Sequence, residues 1–251
     1  MIKLLNANFY RLKKSITFWV LLLIMGLMAM FLYINYNGVN PSSCAGCTNE
    51  LGNVFFGYNS FNWLILPIFI SIFIGFEYSD GTIKNKIING HKRSNIYLSN
   101  LLTSILVSIA YSAIYIIFAI IIGLILENDI TISINKFIFL LFDSFLLNIV
   151  ISSLFTFICM SISSKSNSGI LSLIVVIWTI IITSNVMAKI SNATGIIKNI
   201  YTFIVNILPY GQATQILNLN DNYNILWLYS IFLIFIINLC GIILIKKKEL
   251  N

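Results

Sequence analysis

Charge is what this 251-residue chain has least of: Asp, Glu, Lys and Arg make up only 9% of it. An ordinary soluble domain carries about 25%. Such a chain cannot dress a water-facing surface, which excludes a disordered polymer and a water-soluble enzyme. The formal charge of +7 invites a nucleic-acid reading. That reading needs clustered Lys and Arg on a soluble scaffold, and none is available here. Histidine occurs once, as His91, and proline three times. No G-x-x-x-x-G-K-[ST] loop is present, so the chain has no phosphate cradle of that kind. No internal repeat stands out, which gives inverted-repeat secondary transporters no support.

What the chain does have is long apolar runs. Hydrophobic residues make up 59% of it, and the mean hydropathy is +0.94. A membrane-crossing helix needs about 20 mainly apolar residues. Six stretches qualify, at 16–34, 54–76, 99–126, 137–162, 169–187 and 225–245. Pro67 is expected to kink the second. Unbroken apolar runs, rather than short alternating ones, exclude a transmembrane barrel. The expected fold is therefore an all-α membrane protein, a single transmembrane domain over residues 1–251.

The few cations orient it. With the N-terminus inside, Lys3, Arg11, Lys13, Lys14, Lys84, Lys86, Lys92, Arg93, Lys165, Lys246, Lys247 and Lys248 face the cytoplasm. Only Lys136, Lys189 and Lys198 face out. Excess Lys and Arg mark the cytoplasmic loops, so both termini are expected inside. The first apolar run is expected to stay as an uncleaved helix. No small-residue cleavage site follows it, and neither Cys44 nor Cys47 follows a lipobox leucine.

Between the spans, three features carry information. Residues 1–15 place Leu4, Leu5, Phe9 and Leu12 at helical spacing beside a basic flank. This reads as an amphipathic helix along the membrane surface, or as a topogenic flank. The 77–98 loop reads as a second short helix, with Ser79 or Asp80 as cap, Ile83, Ile87 and Ile88 on one face, Lys84 on another and Asn89-Gly90 as the stop, or as an ordinary basic cytoplasmic loop. Ser94 is expected to cap the third span. Residues 195–208 are apolar and helical in pattern but too short to span, and Pro209-Tyr210-Gly211 forces a turn after them.

Asp143 lies within the fourth apolar run, followed at four-residue steps by Ser144, Asn148, Ser152 and Thr156. An intramembrane acid is a functional candidate by default. This face either lines a path or packs on neighbouring helices, as does the Ser104, Ser108, Ser112 stripe of the third span. Cys44 and Cys47 form a C-x-x-C pair in an outer loop: a local disulfide, or two free thiols. No second pair accompanies them, so no metal site is expected, and Cys159 and Cys240 are expected as packing residues. Trp19, Trp63, Trp178 and Trp227 fall near span ends, as interface anchors do.

The stretch Glu77-x-x-Asp80-Gly81-Thr82-Ile83-Lys84, followed by basic residues and a new span, resembles the first cytoplasmic loop of ABC-2-type transporter permeases. The likeness extends to the whole plan of interfacial helix, six spans and a semi-hydrophobic outer segment before the last. It is strongest toward the small permeases of bacitracin-type and lantibiotic self-protection or export systems. The resemblance implies a permease subunit of an ATP-driven exporter in a bacterial cytoplasmic membrane. Two copies of a separate ATPase would bind ATP and Mg, a second permease would pair with this one, and this chain would hold no cofactor. It further implies re-entrant outer helices, and a coupling helix that meets the ATPase through Asp80, Gly81, Thr82, Ile83, Lys84 and Ile87. Glu77 would anchor the loop to the N-terminal helix.

Two other classes compete. A secondary transporter would use Asp143, but lacks a second intramembrane ionisable partner. An intramembrane enzyme needs paired acids or a Ser–His arrangement at one depth, which His91 and Asp143 do not supply.

Overall fold

The computed structural model describes residues 1–38, 54–125, 133–162, 164–190, 193–219 and 223–247. Cys44 and Cys47 lie outside the described residues. The regular structure of the described residues is entirely helical: α1 (Ile2–Lys14), α2 (Ile16–Gly38), α3 (Tyr58–Ser79), α4 (Thr82–Ile88), α5 (Arg93–Ile125), α6 (Ile134–Ser161), α7 (Lys165–Ile190), α8 (Gly195–Ile207), α9 (Pro209–Leu217) and α10 (Tyr223–Lys247).

Six of these, α2, α3, α5, α6, α7 and α10, are long and apolar enough to cross a membrane. They match the six expected stretches, with shifted ends. The second begins at Tyr58, and the third at Arg93, six residues before the apolar run. Arg93 and the residues that follow join this helix as a polar first turn, so Ser94 lies inside α5 and does not cap it. Residues of α3 continue helically through Pro67.

α6 is the centre of the bundle, packed against α3, α5 and α10, while α3 also holds α7 and α5 holds α2. The core is aromatic-rich: Trp63, Tyr97, Tyr111, Tyr115, Phe69 and Phe155 are all fully buried. Trp63 is therefore no interface anchor. It packs in a cluster with Phe155 and Tyr210, the rings tilted against one another. Trp19 and Trp178 do remain exposed. Cys159 is buried, but Cys240 lies exposed on α10 and packs no core. The outward sides of α7 and α10 present Ile174, Ile177, Trp178, Phe232 and Phe235. Such faces suit acyl chains rather than water.

The two ends of the bundle differ. At one end lie α1, α4, the start of α5 and the end of α10, where Arg93 reaches the Lys246 carbonyl at 3.5 Å. At the other lie α8 and α9, which follow the far end of α7. Leu208 breaks the helical path between them, and Pro209 opens α9 at its first position, where its missing N–H costs nothing. Gly211 is needed at this corner. A Cβ there would collide with the Val205 carbonyl oxygen.

Candidate functional site

The site begins with the loop between α3 and α4. α3 ends at Ser79, whose hydroxyl donates to the Phe76 carbonyl. Gly81, at φ +65°, then turns the chain in the left-handed region that favours glycine. Gly81 itself is the N-cap of α4, and no side chain caps the helix. Neither Ser79 nor Asp80 does so, because both belong to the end of α3 and its turn. Instead the Thr82 hydroxyl donates to the Glu77 carbonyl at 3.0 Å, tying the start of α4 back to α3. The helix stops at Ile88, followed by Asn89 and by Gly90 at φ +80°.

Glu77 is fully buried, and its carboxylate is the meeting point of four helices. Arg11 of α1 donates to Oε1 at 2.7 Å, and Lys86 of α4 donates to the same oxygen at 2.5 Å. Asn100 of α5 donates to Oε2 at 2.7 Å. A second layer closes the ring. Asn8 donates to Asn100 Oδ1 at 2.7 Å, and Lys86 donates to Asn8 Oδ1 at 3.2 Å. Arg11 also donates to the Phe73 carbonyl at 2.6 Å and lies over the Phe73 ring. A buried acid is tolerated only when its lone pairs are met by charge and hydrogen bonds, and here both oxygens are.

Asn8, Lys86 and Asn100 were not singled out in the sequence. The signal for Asn8 is its place in the stripe: Leu4, Asn8 and Leu12 share the buried face of α1. A polar residue at a core position of an amphipathic helix announces a buried partner.

The two faces of α4 divide the coupling candidates. Ile83 turns inward, only 4% exposed, and lines an apolar crevice with Tyr78, Ile87, Ile96, Met160 and Ile245. Asp80, Lys84, Asn85 and Ile88 face out, and Ile88 is 80% exposed. The three isoleucines do not share one face: Ile83 and Ile87 pack on the bundle, and Ile88 points away from it. Gly81 and Thr82 are half-buried at the turn.

The Asp143 face lies inside the bundle. Asn59 donates to Ser144 Oγ at 2.9 Å, and Asn62 donates to Asn148 Oδ1 and to Ser112 Oγ, both at 2.8 Å. Ser152 reaches the Ser104 carbonyl, and Thr156 donates to Ser104 Oγ at 3.1 Å. This ladder joins α3, α5 and α6. Its members are buried, and in this chain they pack helix to helix. Asp143 stands apart from it. The residue is 2% exposed, and among the described residues its buried Oδ2 has no hydrogen-bond partner. No group of three His, Cys, Asp or Glu that could hold a metal occurs among the described residues.

Residues 4–185 match the family described as ABC-2 family transporter protein. The chain belongs to this ABC-2 transporter family. It is a multi-pass membrane protein, and as an ABC-2 permease it is a transporter component rather than a catalyst. Permeases of this family normally work with an ABC ATPase. The matched region of this ABC-2 protein spans α1 through most of α7 and thus contains the whole Glu77 cluster. No curated protein matches the chain.

Proposed function

We propose that this chain is the permease subunit of an ATP-driven exporter and that α4 is its coupling helix. One observation carries the reading: the Glu77 carboxylate ties α4 to α1, α3 and α5 through Lys86, Arg11 and Asn100. A push on α4 is thereby delivered to two spans and the N-terminal helix at one point. The outer face of α4, with Asp80, Lys84, Asn85 and Ile88, is the surface offered to the ATPase. Ile83 and Ile87 seat the helix on the bundle, and Gly81 and Thr82 set its angle.

In this reading two ATPase copies hold ATP and Mg, and a second permease, identical or related, completes the membrane part. The α1–α4 end faces the cytoplasm of a bacterial cell, where most cations lie. α1 lies along the inner surface, and α8 and α9 re-enter from outside. A large capture domain has no room in the segments between spans, which favours a substrate taken from the membrane. An amphipathic antimicrobial peptide, as in lantibiotic-type self-protection, fits that route.

The test is recovery of the ATPase. Tagged chain purified from its host should bring down a polypeptide with a Walker motif and show ATP hydrolysis. Ile88→Asp and Lys84→Glu should lose that partner while inserting normally. Undiminished recovery from both variants sinks the docking face.

A further inference from the structure

At the end of the bundle remote from Glu77, α7, α8 and α9 enclose a cavity of about 290 Å³. It is lined by Met187, Ile190, Lys198, Thr202, Val205, Asn206 and Gln215. Its size is near the lower end of small-molecule sites, roughly 300 Å³. Its wall is mostly apolar, and among the described residues that line it there is one cation and no acid.

The polar part is arranged to donate. Lys198 is exposed and, among the described residues, has no ion-pair or hydrogen-bond partner, so its three ammonium protons are free to leave water for a ligand. Gln215, almost fully buried, donates its Nε2 to Asn206 Oδ1 at 2.8 Å. Gln212 donates to the Asn206 backbone carbonyl at 2.7 Å. With its acceptor oxygens taken, Asn206 keeps its amide Nδ2 as a donor. The Thr202 hydroxyl proton is already given to the Asn199 carbonyl at 2.9 Å, so Lys198 and Asn206 supply the donors. A cation with no counter-ion among the described residues, beside a free amide donor, suits an anion.

The surroundings say where that anion comes from. Ile196, Ile197, Ile200 and Phe203 of α8 are each more than half exposed. A helix with this apolar side out needs acyl chains against it, while Lys198 on the same helix reaches for water or headgroups. The cavity therefore opens at headgroup level. Met187, Ile190 and Val205 give the glycerol and the first methylenes an apolar wall.

We infer that this cavity is a binding site for a phosphate-bearing anionic group, the headgroup of an anionic phospholipid, held by Lys198 and Asn206. The inference needs only a membrane around the bundle and does not depend on ATPase docking.

The experiment is lipid retention by the full-length chain. The protein is reconstituted in vesicles of phosphatidylglycerol and phosphatidylcholine, extracted in mild detergent, and its bound lipid is measured by native mass spectrometry. Wild type should retain phosphatidylglycerol over phosphatidylcholine. Lys198→Ala should lower that retention about tenfold, the size of one charge-assisted contact. Lys189→Ala, an exposed cation at the same end that does not line the cavity, should change nothing. Equal retention by wild type and Lys198→Ala overturns the site. Equal loss from Lys189→Ala overturns it too, since it would mean diffuse charge. Adding inorganic phosphate separates the sources. No displacement supports the lipid, whereas displacement assigns the cavity to a free anion and overturns the lipid assignment.

Discussion

Arg11 and Glu77, 66 positions apart, meet at 2.7 Å where α1 crosses the end of α3. The acid is fully buried, while the guanidinium keeps an edge toward solvent. The contact makes the N-terminal helix part of the apparatus that holds α4. Removing the acid leaves Arg11 and Lys86 facing each other without a counter-charge, and breaking such a buried group costs about 3–5 kcal/mol. Glu77→Ala should therefore lower the thermal midpoint sharply. Arg11→Ala should be milder, because Lys86 and Asn100 still serve the carboxylate. Equal midpoints for Glu77→Ala and wild type would remove the cluster from any structural role.

The outer and inner faces of α4 should separate in mutagenesis. Ile83→Ala empties a core position and should cost about 2–5 kcal/mol. Ile88→Ala, at a site 80% exposed, should leave stability within roughly 0.5 kcal/mol. Thermal midpoints of the two purified variants, taken side by side, check the assignment of faces. A larger loss at Ile88 would reverse it.

Gly81 lies at φ +65° with nothing within 4 Å of a Cβ built on it. Space is free there, so conformation alone resists substitution. Gly81→Ala should cost about 1–2 kcal/mol, and Gly81→Asn less, because Asn tolerates this region. If Gly81→Ala matches wild type by thermal melting, the turn does not depend on glycine.

Gly211 is restricted for the opposite reason, since its backbone is ordinary but the Val205 carbonyl oxygen leaves no room for a methyl group. Gly211→Ala should push α9 away from α8 and disturb the cavity between them. Limited proteolysis near residues 208–211 should quicken, and unchanged cleavage would show that the corner can yield.

Asp143 brings a carboxylate into the bundle, and its buried Oδ2 has no hydrogen-bond partner among the described residues. An unsatisfied buried polar group costs about 1–3 kcal/mol. Asp143→Leu keeps the branched shape of the side chain and removes that penalty, so it should raise the thermal midpoint. A clear fall would reveal a partner for the acid in the assembled protein.

Much of this was legible in the chain, and each part for a physical reason. The six spans follow from apolar runs longer than a bilayer core, a one-dimensional property. The short helix after Gly81 follows from its apolar spacing and its Asn89-Gly90 stop, whereas its cap does not, since Gly81 rather than Ser79 or Asp80 takes that position. The corner at Pro209 follows likewise. The partners of Glu77 were less legible. Arg11 and Asn100 lie 66 and 23 positions away, and no local pattern says which face of one helix will meet another.

The sequence by itself determined that the chain lives in a membrane, how many times it can cross, and where its few charges gather. The tertiary structure alone decided how those charges are used. It turned Ile83 inward and Ile88 outward, drew Trp63 into the core, and made the Asn62–Asn148 ladder an internal joint. It also placed Lys198 at the wall of a cavity. The reason is common to all of these: hydropathy along a chain measures how much surface must leave water, while the choice of partner depends on how helices rotate and cross, which only their mutual packing settles.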